Sequence, residues 1–149
     1  MMGGMGERRF TVIVDVPVAP DVALDFLADL PRHRGIHPFL VSAQVVSAGP
    51  AWREWQVLER PTVGPFHYSV RFRARLARPR PGELVAQVRV RPGVRLDTDT
   101  VATATTCGAR LVETTTVTAP WPLLGYVARQ AERAHARTFA LLPAVLASG

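Results

Sequence analysis

The chain has 149 residues and all 18 of its basic residues are arginine, set against 12 acids, for a formal net charge of +6. A length near 150 argues for one domain over 1–149, and a hydrophobic content of 48% argues against a disordered chain. The absence of lysine removes Schiff-base chemistry, a pyridoxal phosphate anchor and a Walker A lysine. The single cysteine, Cys107, removes an internal disulfide and any Cys-x-x-Cys site. The first ten residues lack the apolar core of a signal peptide and no apolar run reaches about 18 residues, so the expectation is a soluble, cytoplasmic protein.

Residues 1–6 (MMGGMG) read as a disordered start. Phe10, Val12, Val14 and Val16 then alternate with Arg9, Thr11, Ile13 and Asp15, which predicts a first strand ended by Pro17 and Pro20. Asp21 can cap a helix running to about Leu30, where Pro31 stops it, and Arg32–His37 reads as irregular or as one more helical turn. From there strands dominate: Leu40–Ser47, Trp52–Glu59, a long alternation from Phe66 to Leu76, Leu84–Val90, Leu96–Ala104 and Leu111–Val117. In the Phe66–Leu76 segment one face is apolar and aromatic and the other carries arginines, the pattern of a half-buried antiparallel strand. Pro120 and Pro122 break the strand pattern. A long helix follows to about Leu146, with Leu124, Val127, Ala131, Thr138, Leu142 and Val145 on one face. The expected class is therefore α+β: a curved seven-stranded antiparallel sheet wrapped around a long C-terminal helix, with one or two short helices after the first strand.

This element order resembles the START-like helix-grip superfamily (SRPBCC), in particular its polyketide cyclase/dehydrase and lipid-transport branch. The segments that carry the likeness are Phe10–Leu30 (FTVIVDVPVAPDVALDFLADL) and the stretch beginning at Gly108 (GARLVETTTVTAPWPLLGYVARQAERAH), within a likeness that spans about Arg8 to Leu146. The resemblance implies a hydrophobic cavity between sheet and long helix that holds a lipid, a polyketide or another apolar molecule. It implies aromatase or cyclase activity in some relatives and ligand carriage in others.

His135 lies on the apolar arc of the long helix between Ala131 and Thr138, where it can donate to a ligand carbonyl or act as general acid or base. With Tyr68 it forms the candidate catalytic pair if the protein is an enzyme. Tyr68, Phe66 and Phe72 share the inward face of the aromatic strand, and Phe26 and Phe39 are further candidate lining residues or plain core. Trp52 and Trp55, three apart on one strand, cannot both face inward. Aligning Leu58 with Tyr68 turns Trp52 in and Trp55 out, and a one-residue bulge reverses this. Thr98 and Thr100 share parity with Leu96 and are expected inside. Glu113 shares a face with Leu111, Thr115 and Val117, and if that face is inward it is a buried carboxylate and a candidate base; the face of Val112, Thr114 and Thr116 is an equally plausible inner one, and Glu113 is expected in solvent. His33 and His37 are four apart, but Gly35 lies between them and no third ligand accompanies them, so no metal and no cofactor are expected, and the pair is read as lying at the rim near the cavity mouth or as plainly exposed. With few ionisable residues expected inward, binding is favoured over catalysis.

Residues 71–95 hold eight arginines against one acid, Glu83, so the basic surplus belongs to this stretch. Pairing 73 with 89 and 75 with 87 puts Arg71, Arg73, Arg75, Arg89 and Arg91 on one outer face, with Asp97 beside Arg89. That face is either a solvated surface tempered by neighbouring acids or a docking surface for an acidic partner such as a carrier protein. Nucleic acid is disfavoured, because no recognition motif accompanies the charge and the aromatics lie on the other face.

Overall fold

The computed structural model describes residues 4–63 and 65–148. Seven antiparallel strands form the main sheet: β1 (Met5–Val16), β2 (Leu40–Gly49), β3 (Trp52–Glu59), β6 (Val70–Ala77), β7 (Glu83–Val90), β8 (Val94–Thr105) and β9 (Gly108–Pro120). Their order is β1-β9-β8-β7-β6-β3-β2, so the first strand closes against the last and every other neighbour is a sequential hairpin or near-hairpin. A separate two-stranded ribbon pairs β4 (Thr62–Val63) with β5 (Phe66–His67). The main sheet thus has the predicted seven strands. β1 starts earlier than expected, with Met5 paired to Pro120 and Gly6 to Ala119. Met1–Gly3 lie outside the described residues.

Helix α1 (Pro20–Ala28) begins with Pro20 in its first turn and Ala19, not Asp21, at the cap position. Proline suits this place because its missing N–H has no intrahelical partner there. Asp21 is used differently: with Asp25 it receives the Arg78 guanidinium, at 3.1 and 2.8 Å, tying α1 to the end of β6. A 3₁₀ turn, Leu30–His33, supplies the extra helical piece. Helix α2 (Trp121–Ser148) has 28 residues, about 42 Å at 1.5 Å per residue. It runs past Pro143 to Ser148 and is packed mainly on β1 and β9.

The core has two parts. Phe10, Val94, Val117 and Ala119 bury Leu124 and Ala128 from the start of α2. At the other end Leu24, Phe26, Trp55, Leu76 and Leu111 bury Phe139, Leu142 and Leu146. Both clusters follow from period-2 strands meeting a period-3.6 helix, each presenting one apolar face. The middle of α2, from Val127 to Thr138, is where the wall opens into a cavity.

One register differs from expectation and resets a whole strand. β3 pairs with β6 as Leu58↔Arg71, Val57↔Phe72 and Trp55↔Ala74. Aligning Leu58 with Tyr68 is therefore three residues out, because the β4–β5 ribbon and the unpaired Tyr68–Ser69 intervene between β3 and β6. An odd offset exchanges the two faces of a strand. Trp55 is consequently buried, 3% exposed, and Trp52 lies on the outer face with the Arg75 guanidinium 4.0 Å above its ring. The same interruption removes Phe66 from the main sheet and leaves it 72% exposed.

The arginine strands pair 73 with 89 and 75 with 87, as the alternation predicts, but Arg89 lies opposite Arg95, and Asp97 opposite Gln87. Neighbours temper the charge: Arg73 reaches Glu54 at 3.0 Å and Gln56 at 3.3 Å, Arg95 reaches Asp97 at 2.8 Å, and Arg75 stacks on Trp52. Arg91 departs from the outer face, since it contributes to the cavity wall.

Candidate functional site

A cavity of about 490 Å³ lies between the sheet and the middle of α2. Its floor is the inner face of the strands: Val70, Phe72, Ala74 and Leu76 from β6, Leu84, Ala86 and Val88 from β7, and Leu96, Thr98 and Thr100 from β8. Leu27, Leu30, Phe39 and Leu40 wall one end, and Tyr126, Val127, Ala131, Ala134, His135 and Thr138 of α2 form the roof. Most of this surface is aliphatic or aromatic because each strand turns its apolar parity inward.

The polar groups are concentrated. β9 runs between β1 and β8, with Glu113 opposite Val12 on one side and Thr100 on the other. Leu111, Glu113, Thr115 and Val117 form its inner face, and Glu113 is buried, 7% exposed. This overturns the expectation of a solvated Glu113. The parity of β9 is ambiguous by sequence because both of its faces mix threonine with apolar residues. Glu113 Oε1 lies 2.5 Å from His135 Nδ1, and its Oε2 receives the Thr100 hydroxyl at 3.5 Å. Phe10 meets the His135 ring edge-on at 5.5 Å, fixing its plane. With Nδ1 on Glu113, the other ring nitrogen, Nε2, has no hydrogen-bond partner among the described residues on a side chain that lines the cavity. Burial alone would depress the imidazole pKa; the carboxylate charge and hydrogen bond of Glu113 outweigh it, and the net shift of His135 is upward.

Around this dyad stand three further ionisable groups that were not anticipated inside. His33, on the 3₁₀ turn, donates Nε2–H to the Phe26 carbonyl at 2.9 Å, and burial holds its pKa down. His37 accepts the Phe39 N–H on Nδ1 at 3.2 Å, which places its proton on Nε2, facing Glu59 at 3.6 Å. Burial, reinforced by the positive charge of His135 and His33, lowers His37 to about 3, so it is neutral. Burial raises Glu59 to about 7, against the pull of His135. Glu59 is inward for the same reason as Trp55: the register of β3 turns Trp55, Val57 and Glu59 to the inner side of the sheet.

Of the residues expected to line a site, Phe39, Tyr68, Phe72, Thr98, Thr100 and His135 are on the cavity wall. Tyr68, 39% exposed, joins its hydroxyl to that of Tyr126 at 2.8 Å, and burial followed by this bond pushes the phenol up to about 12. Thr98 bonds Thr115 across β8 and β9 at 3.1 Å. Three others are corrected. Phe26 is core, stacked on His33 at 5.3 Å and covered by the Arg32 guanidinium at 4.7 Å. Trp52 is outside through the β3 register, and Phe66 is outside on the ribbon. The residues that sequence reasoning missed are Glu59 and Tyr126; by sequence Glu113 is a candidate inward base but expected in solvent, and His33 and His37 are expected at the rim or exposed. A parity argument anchored on Trp55 would have found Glu59; His33 and His37 carry no periodic signal, since an irregular segment places them.

No family model matches the chain, and no curated protein sequence matches it. Solved structures do. The aromatase/cyclase Zhui from Streptomyces sp. R1128 aligns over 97% of this chain and 93% of its own, at 18% identity and a TM-score of 0.67. The fold is the helix-grip fold. Protein TTHA0849 from Thermus thermophilus aligns over 96% and 98%, at 17% identity and a TM-score of 0.73. Ara h 8.0201 aligns over 97% and 100%, at 14% identity and a TM-score of 0.71. At such identities the helix-grip likeness defines architecture, and the chemistry has to be argued from this chain's own side chains. No helix among the described residues is long and apolar enough to cross a membrane, and no group of three or more His, Cys, Asp or Glu among them is arranged to hold a metal.

Proposed function

We propose that this helix-grip domain binds a hydrophobic small molecule, a lipid or polyketide-like compound carrying oxygen, in the cavity between sheet and α2. The observation that carries the reading is an aliphatic and aromatic cavity of about 490 Å³ with its hydrogen-bonding groups gathered at a few points. Native mass spectrometry of the purified protein, with displacement of a fluorescent apolar probe, tests it. Expected is one tightly held molecule per chain, and a protein that neither retains a molecule nor takes up any probe refutes it.

The His135–Glu113 pair favours a second reading, catalysis of the aromatase/cyclase type on a bound poly-keto chain. Nε2 of neutral His135 removes a proton from a carbon lying between two carbonyls, leaving an enolate, and the imidazolium so formed is stabilised by Glu113. The enolate carbon attacks a second carbonyl of the same chain, forming the ring bond. The resulting alkoxide takes the proton back from Nε2, and loss of that hydroxyl as water with a neighbouring hydrogen gives the unsaturated ring. Tyr68, held as a phenol, donates a hydrogen bond to a carbonyl oxygen rather than acting as a base. The aromatase/cyclase name borne by a structural neighbour supports the same reading. His135→Ala is expected to lower ring closure on a poly-keto substrate by about 10²–10⁴-fold with an unchanged circular dichroism spectrum. Undiminished turnover would remove His135 from the chemistry.

A further inference from the structure

A second depression lies on the outside of the cavity wall. It encloses about 430 Å³ and is bordered by Pro38 and Thr62 on one side and by Tyr126, Gln130, Arg133 and Arg137 of α2 on the other. Phe39, Tyr126, Gln130 and Ala134 belong to both spaces, so one line of side chains is all that separates cavity from groove. The helix explains the arrangement. At about 100° per residue, positions 126, 130, 133 and 137 fall within a stripe of roughly 60°, beside the cavity stripe of 127, 131, 134 and 138. Gln130 and Ala134 sit where the stripes meet.

The two arginines in this groove are exposed, four residues apart on one helix face, and neither lies within ion-pair distance of a carboxylate among the described residues. A like-charge pair at this spacing destabilises a helix. An anion held between the two guanidinium groups reverses that sign and gains charge-assisted, bidentate hydrogen bonds.

We propose that the ligand is an amphiphilic anion: its apolar part fills the cavity, and its carboxylate or phosphate head group is held outside the wall, in the groove, by Arg133 and Arg137. This rests on the reading of the cavity as an apolar binding site and adds the chemical class of the molecule. Thr62 and Gln130 supply neutral hydrogen-bonding groups beside the head. The aliphatic cavity floor takes the chain.

Isothermal titration of the full-length protein with dodecanoate, dodecyl phosphate and dodecanol tests the assignment. The wild-type protein is expected to bind at least one of the two anions tenfold or more tightly than dodecanol, and the better anion identifies the head group. The double variant Arg133→Gln/Arg137→Gln is expected to lose that preference while binding dodecanol as before, which also shows that it is folded. Arg91→Gln serves as a comparison, since Arg91 lines the cavity itself, and it is expected to keep the preference. The proposal is overturned if dodecanol binds as tightly as both anions, if the double variant keeps the preference, or if Arg91→Gln alone abolishes it. Failure of all three probes to bind the wild-type protein would refute the apolar-site reading and this assignment together.

Discussion

Replacing Glu113 with Gln separates the charge of the buried dyad from its shape. The amide is nearly isosteric and its oxygen still accepts from His135 Nδ1, so the contact with Thr100 and the seat of the His135 ring on Phe10 are retained and only the carboxylate charge is lost. His135 is held above its usual pKa by that charge working against burial, so the substitution must lower its pKa. A group whose folded pKa is raised contributes stability that is fully present below the unfolded value, near 6.5, and that is lost as pH rises through the folded pKa. The variant is therefore most destabilised in mild acid. There a hydrogen bond to a charged group has been exchanged for a neutral one beside an imidazole that must be desolvated, at a cost of about 1.5–3 kcal/mol. For a chain of this length that is a melting temperature about 4–10 °C lower. Above the folded pKa of His135 both proteins hold a neutral imidazole, and the difference contracts to about 1 kcal/mol or less. Thermal denaturation followed by circular dichroism at pH 5.5 and pH 9, with an NMR titration of the His135 ring protons, reads both quantities. A loss of stability equal at the two pH values, or an unmoved His135 titration, would refute the reasoning.

Glu59→Gln tests the opposite sign. A carboxyl raised from 4.5 to about 7 by burial withholds stability as pH rises between those values, by at most about 3 kcal/mol. The variant should match the wild type near pH 4.5 and exceed it near pH 8 in urea denaturation, and a pH-independent difference would contradict the assignment. The two tryptophans of β3 should separate sharply. Trp55→Ala empties a core position and is expected to cost about 3–5 kcal/mol. Trp52→Ala loses chiefly its contact with Arg75, worth about 1 kcal/mol. Equal losses by chemical denaturation would mean that the β3 register is wrong. Trp55→Phe should cost far less than Trp55→Ala, because it also removes an indole N–H that is buried without a partner among the described residues.

The sequence by itself determined the architecture. Alternation in β1, β6, β7 and β8 and the 3.6-residue period of α2 are local signals, and an apolar face on each element leaves few ways to assemble them. His135 was legible for the same reason, as a polar residue on an apolar arc, and Thr98 and Thr100 followed from their parity with Leu96. What the tertiary structure decided is which of two faces a strand presents when both are chemically plausible. β9 mixes threonine with apolar residues on both faces, so only its pairing with Val12 and Thr100 turns Glu113 inward to His135. β3 carries a tryptophan on each face, and the β4–β5 ribbon sets a register that buries Trp55, turns Glu59 to the cavity and expels Trp52 and Phe66. His33 and His37 come from a segment without periodicity, placed by hydrogen bonds to Phe26 and Phe39. The expectation of a cavity with few ionisable groups failed because a carboxylate's cost of burial is offset by partners distant in sequence: Glu113 and His135 stand 22 residues apart and meet only once α2 lies across the sheet.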